Sequence, residues 1–445
     1  MKVQEMKKAV CAVIDKHAEE LIALNDSIYR EPELGYKEFK TAEKIKEQLN
    51  RLGLKYEEGV AITGIITPLS GRSHQANVAV MGELDAVLVP GHKYADPLTG
   101  AAHCCGHCAQ AASVIGVAAA LVESGVMQYL DGDVTLMHVP SEEFVELEYR
   151  ENLVQQGKIK LLGGKQEFIR LGKFDDVDIV LTQHTLGTEA DASTENQQGG
   201  KQTKIKANCG GAIGKGFVGK MIRYTGKASH AALPSEGINA LTAARLGFAG
   251  MDALRETFRD EEGIRVHPII TKGGNLVNVI PADVRIETYV RGQNMPAILD
   301  ASEKVDRAFL AGGYVIGAKC EITQIPGYMC PYESQELKDI GFENLKEIFG
   351  ADKCERNGIG ASTDTYDVAN LLPTLSFHTG GAKGTFHGVD FDIVRPDYAV
   401  IDAAKVMVCT LIDLLANGAE KALFVKESFQ PALTKEQYLH DWCRL

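Results

Sequence analysis

The sequence is poor in several things, and each shortage removes a class of function. It holds a single tryptophan, and aromatic residues make up only 7% of its 445 positions. Lysine and arginine (47) are outnumbered by aspartate and glutamate (60), giving a formal net charge of −13. A phosphate backbone needs a basic face, so this balance argues against nucleic acid as a partner. It argues equally against an anionic membrane surface. No apolar run reaches the ~20 residues that span a bilayer; the longest, Ala109–Val122, falls short. The opening residues, Met1-Lys2-Val3-Gln4-Glu5-Met6, lack the apolar centre of a signal peptide. The ten cysteines show no disulfide spacing, since three crowd into positions 104–108 and the rest are scattered. A cytoplasmic protein with reduced thiols free to bind metal is the expectation. Repeats and low-complexity tracts are also missing.

What remains is an ordinary globular composition, 45% hydrophobic and 24% charged, over a length that implies more than one domain. Residues 4–30 carry Val10, Val13, Ile14, Leu21 and Leu24 at helical spacing, predicting one or two amphipathic helices. Pro32 interrupts them, and a further helix runs from about 37 to 52. Strands follow at 64–68, 76–81 and 133–139, with an alanine-rich helix at 109–124 between the last two. Alternation of this kind predicts a layered α/β domain with a largely parallel sheet. A strand at 177–182 precedes a stretch, 186–216, rich in Gly, Gln, Asn, Thr and Lys, which reads as a linker. Beyond it, strand, helix, two strands, helix and strand succeed one another from 217 to 324. That β-α-β-β-α-β order predicts a ferredoxin-like domain inserted into the first. The predicted division is 1–212 with 326–445 for the discontinuous first domain, and 213–325 for the insert.

The chemistry concentrates in His103-Cys104-Cys105-Gly106-His107-Cys108, on a predicted strand-to-helix loop. Cys105 and His107 there, Glu143 after the strand at 133–139, His184 and His387 offer a thiolate, imidazoles and a carboxylate. This borderline-soft set suits zinc best, with manganese, cobalt or nickel as alternatives. Five ligands exceed one tetrahedral site, so two divalent ions are expected. Glu142 and Glu143 are adjacent on an extended segment, where neighbouring side chains diverge. One can bind metal while the other takes a proton from an attacking water. Taken singly these residues have blander readings. Cys105 and Cys108 could form half of a structural zinc knuckle or a redox pair, and His378 in its apolar run could be a core histidine.

Together the motifs resemble the zinc-dependent amidohydrolases and metallopeptidases of the aminoacylase and hippurate hydrolase family, nearest the aminobenzoyl-glutamate hydrolase-like dipeptidases. The resemblance rests on Pro32-Glu33-Leu34-Gly35, Gly82-Glu83-Leu84-Asp85, His103-Cys104-Cys105-Gly106-His107 and Pro140-Ser141-Glu142-Glu143, with Gly163-Gly164, Gly226-Lys227-Ala228-Ser229-His230, Asn278-Val279-Ile280-Pro281 and His387-Gly388-Val389-Asp390-Phe391. It implies a zinc-peptidase-like catalytic domain with a dimetal site, and an inserted lid that mediates homodimerisation. It implies hydrolysis of an amide bond in an N-acyl amino acid, a dipeptide or an aminobenzoyl-glutamate-like compound through a metal-activated water. Glu142 then matches the general base, and Cys105, His107, Glu143, His184 and His387 match the metal ligands. Asp85 matches the carboxylate behind them. His230 matches a lid histidine that reaches a partner's active site and stabilises the oxyanion. Asn278 and Arg291 match residues that bind a substrate carboxylate.

The pattern departs from the family in three places. Cys104 and Cys108 replace the usual Ala and Asp or Asn, and a thiol at 108 could alter the hydrogen bonds behind the metals or add a ligand. Nineteen residues, Phe144 to Leu162, stand where the family has only a few. That insert reads either as a surface helix or as a structure at the pocket mouth. The competing functional reading is a non-catalytic metal-binding or thiol-redox relative, which would have no use for Glu142.

Overall fold

The computed structural model describes residues 1–187, 205–209, 214–356 and 362–443. Most of the predicted linker, 186–216, lies outside the described residues. The described residues form two compact units, one drawn from 1–212, 332–359 and 368–435, the other from 213–331, 360–367 and 436–445.

In the first unit, helices α1 (Val3–Lys16), α2 (Ala18–Arg30) and α3 (Phe39–Arg51) precede strands β1 (Glu57–Val60), β2 (Gly64–Leu69) and β3 (Asn77–Glu83). Two short strands, β4 (Val87–Leu88) and β5 (Ala101–Ala102), pair with each other before α4 (His107–Glu123). β6 (Asp133–Val139), α5 (Leu147–Gln155), α6 (Gly164–Arg170), β7 (Ile179–Gly187) and β8 (Ala207–Asn208) follow. The sheet is nine-stranded, with β1, β2, β6, β3, β7, β14 (Thr374–Lys383), β8 and β13 (Cys354–Glu355) in spatial order and β15 (Asp392–Ile393) on β14. It is mixed rather than largely parallel. The centre, β6-β3-β7-β14, is parallel, while β1, β2 and β15 join antiparallel. The central strands β3 and β6 are buried at every position after the first, as strands covered on both faces are.

Helix α4 is the axis of this unit. Its alanines and valines leave no polar face, and every position from His107 to Leu121 is buried. It packs against β3 on one side and α1, α2 and α9 (Ala403–Leu415) on others. Gly106 caps it with φ +94°, and a Cβ there would meet Thr185 at 3.1 Å. Only glycine takes that backbone without strain, so the Cys/His loop turns sharply into the helix.

The second unit runs β9 (Gly216–Thr225), α7 (Ala240–Ala253), β10 (Arg265–Lys272), β11 (Asp283–Gly292), α8 (Met295–Ile316) and β12 (Lys319–Pro326). Its four strands are antiparallel in the order β10-β11-β9-β12, the ferredoxin-like arrangement. β11 alternates buried and half-buried positions along its length, so one face of the sheet meets the helices. Among the described residues no helix is long and apolar enough to cross a membrane.

Behind the end of β6, α6 begins so close that a Cβ on Gly164 would lie 1.6 Å from the Pro140 carbonyl oxygen. Gly164→Ala therefore displaces the segment that carries Glu142. Overpacking of this kind costs about 1–3 kcal/mol, and thermal unfolding should register it; an unchanged midpoint would contradict the packing.

Candidate metal centre

The parallel strands β3, β6, β7 and β14 deliver their carboxyl ends to one edge of the first unit, where an open α/β sheet gathers functional groups. Glu83 ends β3, with Asp85 two residues on. Glu142 and Glu143 follow β6, and His184 lies on β7. Cys105 and His107 come from the turn into α4, and His387 from the loop after β14. Three groups lie wholly within this unit, in each of which the ligand atoms lie within 4.8 Å of one another. They are Cys105 with His107 and His184, Cys105 with Glu143 and His387, and His107 with Glu142 and Glu143.

The distances tie these groups into one centre. Cys105 Sγ is 3.3 Å from His184 Nε2. His387 Nε2 is 3.0 Å from Glu143 Oε1, and His107 Nε2 is 3.1 Å from Glu83 Oε2 and 3.9 Å from Glu142 Oε2. Neither His107 Nε2 nor Glu143 Oε1 has a well-aligned hydrogen bond, although both atoms are buried. Buried polar atoms are normally satisfied, so two such atoms among thiol, imidazole and carboxylate donors fit a divalent cation. The far ring nitrogens are pinned: His107 Nδ1 lies 2.9 Å from the Asp85 carbonyl oxygen and His184 Nδ1 2.9 Å from that of Thr185. Each Nε2 is thereby aimed inward.

The charges explain one another. Burial opposes ionisation of Glu83, but Lys165, then His107 and His184, hold its pKa at about 2. Burial likewise opposes protonation of His107, yet Glu83, Cys105 and Asp85 outweigh it and raise the imidazole well above its ordinary value. Asp85 is lowered despite full burial by His107, the Glu143 amide and the Arg150 charge. Cys105 is pushed well above the usual thiol range, first by burial and then by Glu143. Without a cation, burial thus opposes charge on the Cys105 thiol while the carboxylates favour it on His107, and a bound cation would reverse both.

Backbone geometry at the centre is unusual too. Ser141 and His387 both have positive φ, +57° and +59°. Non-glycine residues held there cost about 1–3 kcal/mol each, and surrounding contacts hold both. Ser141 N–H donates to Glu38 Oε1 at 2.8 Å, and His387 N–H donates to the Cys104 carbonyl at 2.9 Å.

Of the residues singled out from sequence, Cys105, His107, Glu142, Glu143, His184, His387 and Asp85 come together in the first unit. His230, Asn278 and Arg291 belong to the second unit. There His230 and Asn278 are exposed neighbours, with the Ala231 N–H donating to the Asn278 carbonyl at 2.9 Å. Arg291 is half-buried over Phe217 and donates to Ser362 Oγ at 2.7 Å.

Sequence reasoning gave no role to Glu83, Gln110, Lys165 and Glu38, and it left His378 as a possible core histidine. Glu83 and Asp85 share a strand face by period-two spacing, and Gln110 stands three positions after His107 on α4, so those two were findable. Gln110 Nε2 donates to Glu83 Oε2 at 2.6 Å. Lys165 and Glu38 are distant in sequence and carried no signal. His378 pairs in register with His184, and their ring centroids are 6.2 Å apart, so it lies beside the centre and is only half-buried.

Cys104 and Cys108 prove to be packing residues. Cys108 lies in the main core, and burial pushes its thiol up to about 12. Cys104 sits among Val87, Val89, Ala102 and Phe391. Cys105 and Cys108 are not bonded to each other, and Cys108 faces the core.

Residues 79–413 match the family model described as peptidase family M20/M25/M40. The human Xaa-Arg dipeptidase is 24% identical, over 99% of this chain and 95% of its own length. An Arabidopsis thaliana protein, IAA-amino acid hydrolase ILR1-like 4, is 25% identical over 64% of this chain and 59% of its own. Among solved structures, a dinuclear metal-binding peptidase of the M20 family from Bacillus subtilis superposes with a TM-score of 0.64 at 18% identity, covering 90% of this chain and 99% of that one. With the family model spanning most of its length, the chain belongs to peptidase family M20/M25/M40 and is a metal-dependent hydrolase of amide bonds.

Proposed function

We propose that the substrate is a small carboxylate-bearing amide, an N-acyl amino acid, dipeptide or aminobenzoyl-glutamate-like compound. Cys105, His107, Glu143, His184 and His387 would hold two divalent ions, zinc by preference. The observation that carries this reading is the overlap of the first two ligand groups at Cys105, beside the adjacent carboxylates of Glu142 and Glu143. The ions would polarise the scissile carbonyl and acidify a water.

The chain's own groups do the rest. Glu142 is 7% exposed, so it can reach a water that lies largely out of bulk solvent. It would take that water's proton and later deliver it to the leaving amine. His230 would donate to the developing oxyanion, and Asn278 and Arg291 would receive the substrate carboxylate. His230 would act in a partner subunit's site. Exposed Ile269 and Ile270 on edge strand β10, and Leu276 and Val277 just beyond, support a homodimer through this unit. Ten free cysteines fit a reducing cytoplasm.

Removing the base should separate chemistry from binding. Glu142→Ala should lower kcat by about 10²–10⁴-fold while metal analysis finds the wild-type content. A variant that keeps full hydrolysis would remove Glu142 from the mechanism. Chelation should abolish wild-type activity, and added zinc, manganese or cobalt should restore it. If no amide in a broad panel is cleaved with any of these ions present, the substrate assignment fails.

The shared site has its own test. Inactive His230→Ala subunits mixed with inactive Glu142→Ala subunits should regain partial activity, because some sites then receive both intact residues. Mixed dimers, verified by mass, that recover nothing would show each site to be complete within one chain.

A further inference from the structure

The insert Phe144–Leu162 is half-buried, and its buried arginine points inward. Leu147, Arg150 and Leu153 recur every three positions on α5 and form its buried side. Arg150 is 1% exposed. One guanidinium nitrogen, Nη2, donates to the Glu143 carbonyl, and Nη1 donates to the Leu162 carbonyl at 2.7 Å. These carbonyls belong to the residue before the insert and to its last residue. The arginine therefore staples the insert closed at its own root, which is the backbone of the Glu142-Glu143 pair.

The rest of that backbone is held by other buried groups. Glu38 Oε1 accepts from the Ser141 N–H at 2.8 Å, and the Gly164 N–H donates to the Ser141 carbonyl at 3.1 Å. Asp85 Oδ2 accepts from the Glu143 N–H at 2.8 Å. The Glu143 carbonyl is held from within the insert, by the Arg150 guanidinium and by the Val145 N–H at 2.9 Å. The insert is in turn tied to the segment before α3, with Lys37 Nζ 2.7 Å from Glu146 Oε2 and 4.1 Å from the centre of the Tyr149 ring.

We propose that Arg150 is a positioning residue for hydrolysis: by fixing the Glu143 carbonyl it sets the direction of both carboxylates, so the insert is part of the catalytic support. The proposal rests on the roles assigned above to Glu142 and Glu143. An arginine fork suits two carbonyls at once, whereas an ammonium makes one strong contact at a time.

The test compares wild type, Glu142→Ala, Arg150→Ala and Arg150→Lys for kcat, KM, metal retention against a chelator, and folded fraction by near-ultraviolet circular dichroism. Active wild type and inactive Glu142→Ala establish the underlying roles; an active Glu142→Ala overturns those roles, and this proposal with them. Given that, each folded Arg150 variant should lose about 10–100-fold in kcat and in metal affinity, with KM little changed. Non-denaturing guanidinium should restore part of the activity of Arg150→Ala and none of Arg150→Lys, whose side chain fills the gap. The proposal is overturned if a folded variant keeps wild-type kcat, or if activity falls only in step with folded fraction and guanidinium restores nothing. Should Arg150→Ala not fold, Arg150→Lys decides by the same kcat and metal criteria.

Discussion

Asp85 has no exposed surface, and its two carboxylate oxygens hold different parts of the centre. Oδ1 lies 3.2 Å from His107 Nδ1, and Oδ2 accepts from the Glu143 N–H at 2.8 Å. A buried carboxylate is tolerable only if both oxygens are occupied by donors. That requirement couples the loop before α4 to the segment after β6. Neither element can shift without exposing an unpaired charge in a low-dielectric interior.

The same demand spreads outward. Glu83 is satisfied by Lys165 and Gln110, which commits the start of α6 and the first turn of α4 to the centre. Glu38 is satisfied by the Ser141 N–H and the Thr63 hydroxyl, which commits the start of α3. Burial, then the nearby charge of Asp85, pushes Glu38 up to about 8, so it can stay neutral behind Ser141 at ordinary pH. The layers around the proposed ligands are therefore polar, buried and mutually dependent. The positive φ values at Ser141 and His387 are local strain that this framework can hold.

Much of the fold was legible because periodicity survives in the local sequence. The boundaries of β6 and the order of elements in the second unit follow from alternation and turn residues alone. The sheet's antiparallel edges did not, since strand direction depends on partners far along the chain. β7 extends to Gly187, beyond the apolar run that marked it, because pairing with β14 continues through the polar residues Gln183, His184 and Thr185.

The sequence by itself determined the donor types, their order and their attachment to strand ends. Cys105, His107, Glu142, Glu143, His184 and His387 carry chemistry that few other roles require, and α4 had to be buried because it has no polar face. Tertiary structure decided which neighbours matter. Cys108 sits one helical step from His107 yet faces the core, while Lys165 and Arg150, unremarkable in sequence, reach the centre's supporting groups. The reason is that compensation of a buried charge is a three-dimensional condition: it is met by whichever side chain the packing brings within hydrogen-bond distance, at any separation along the chain.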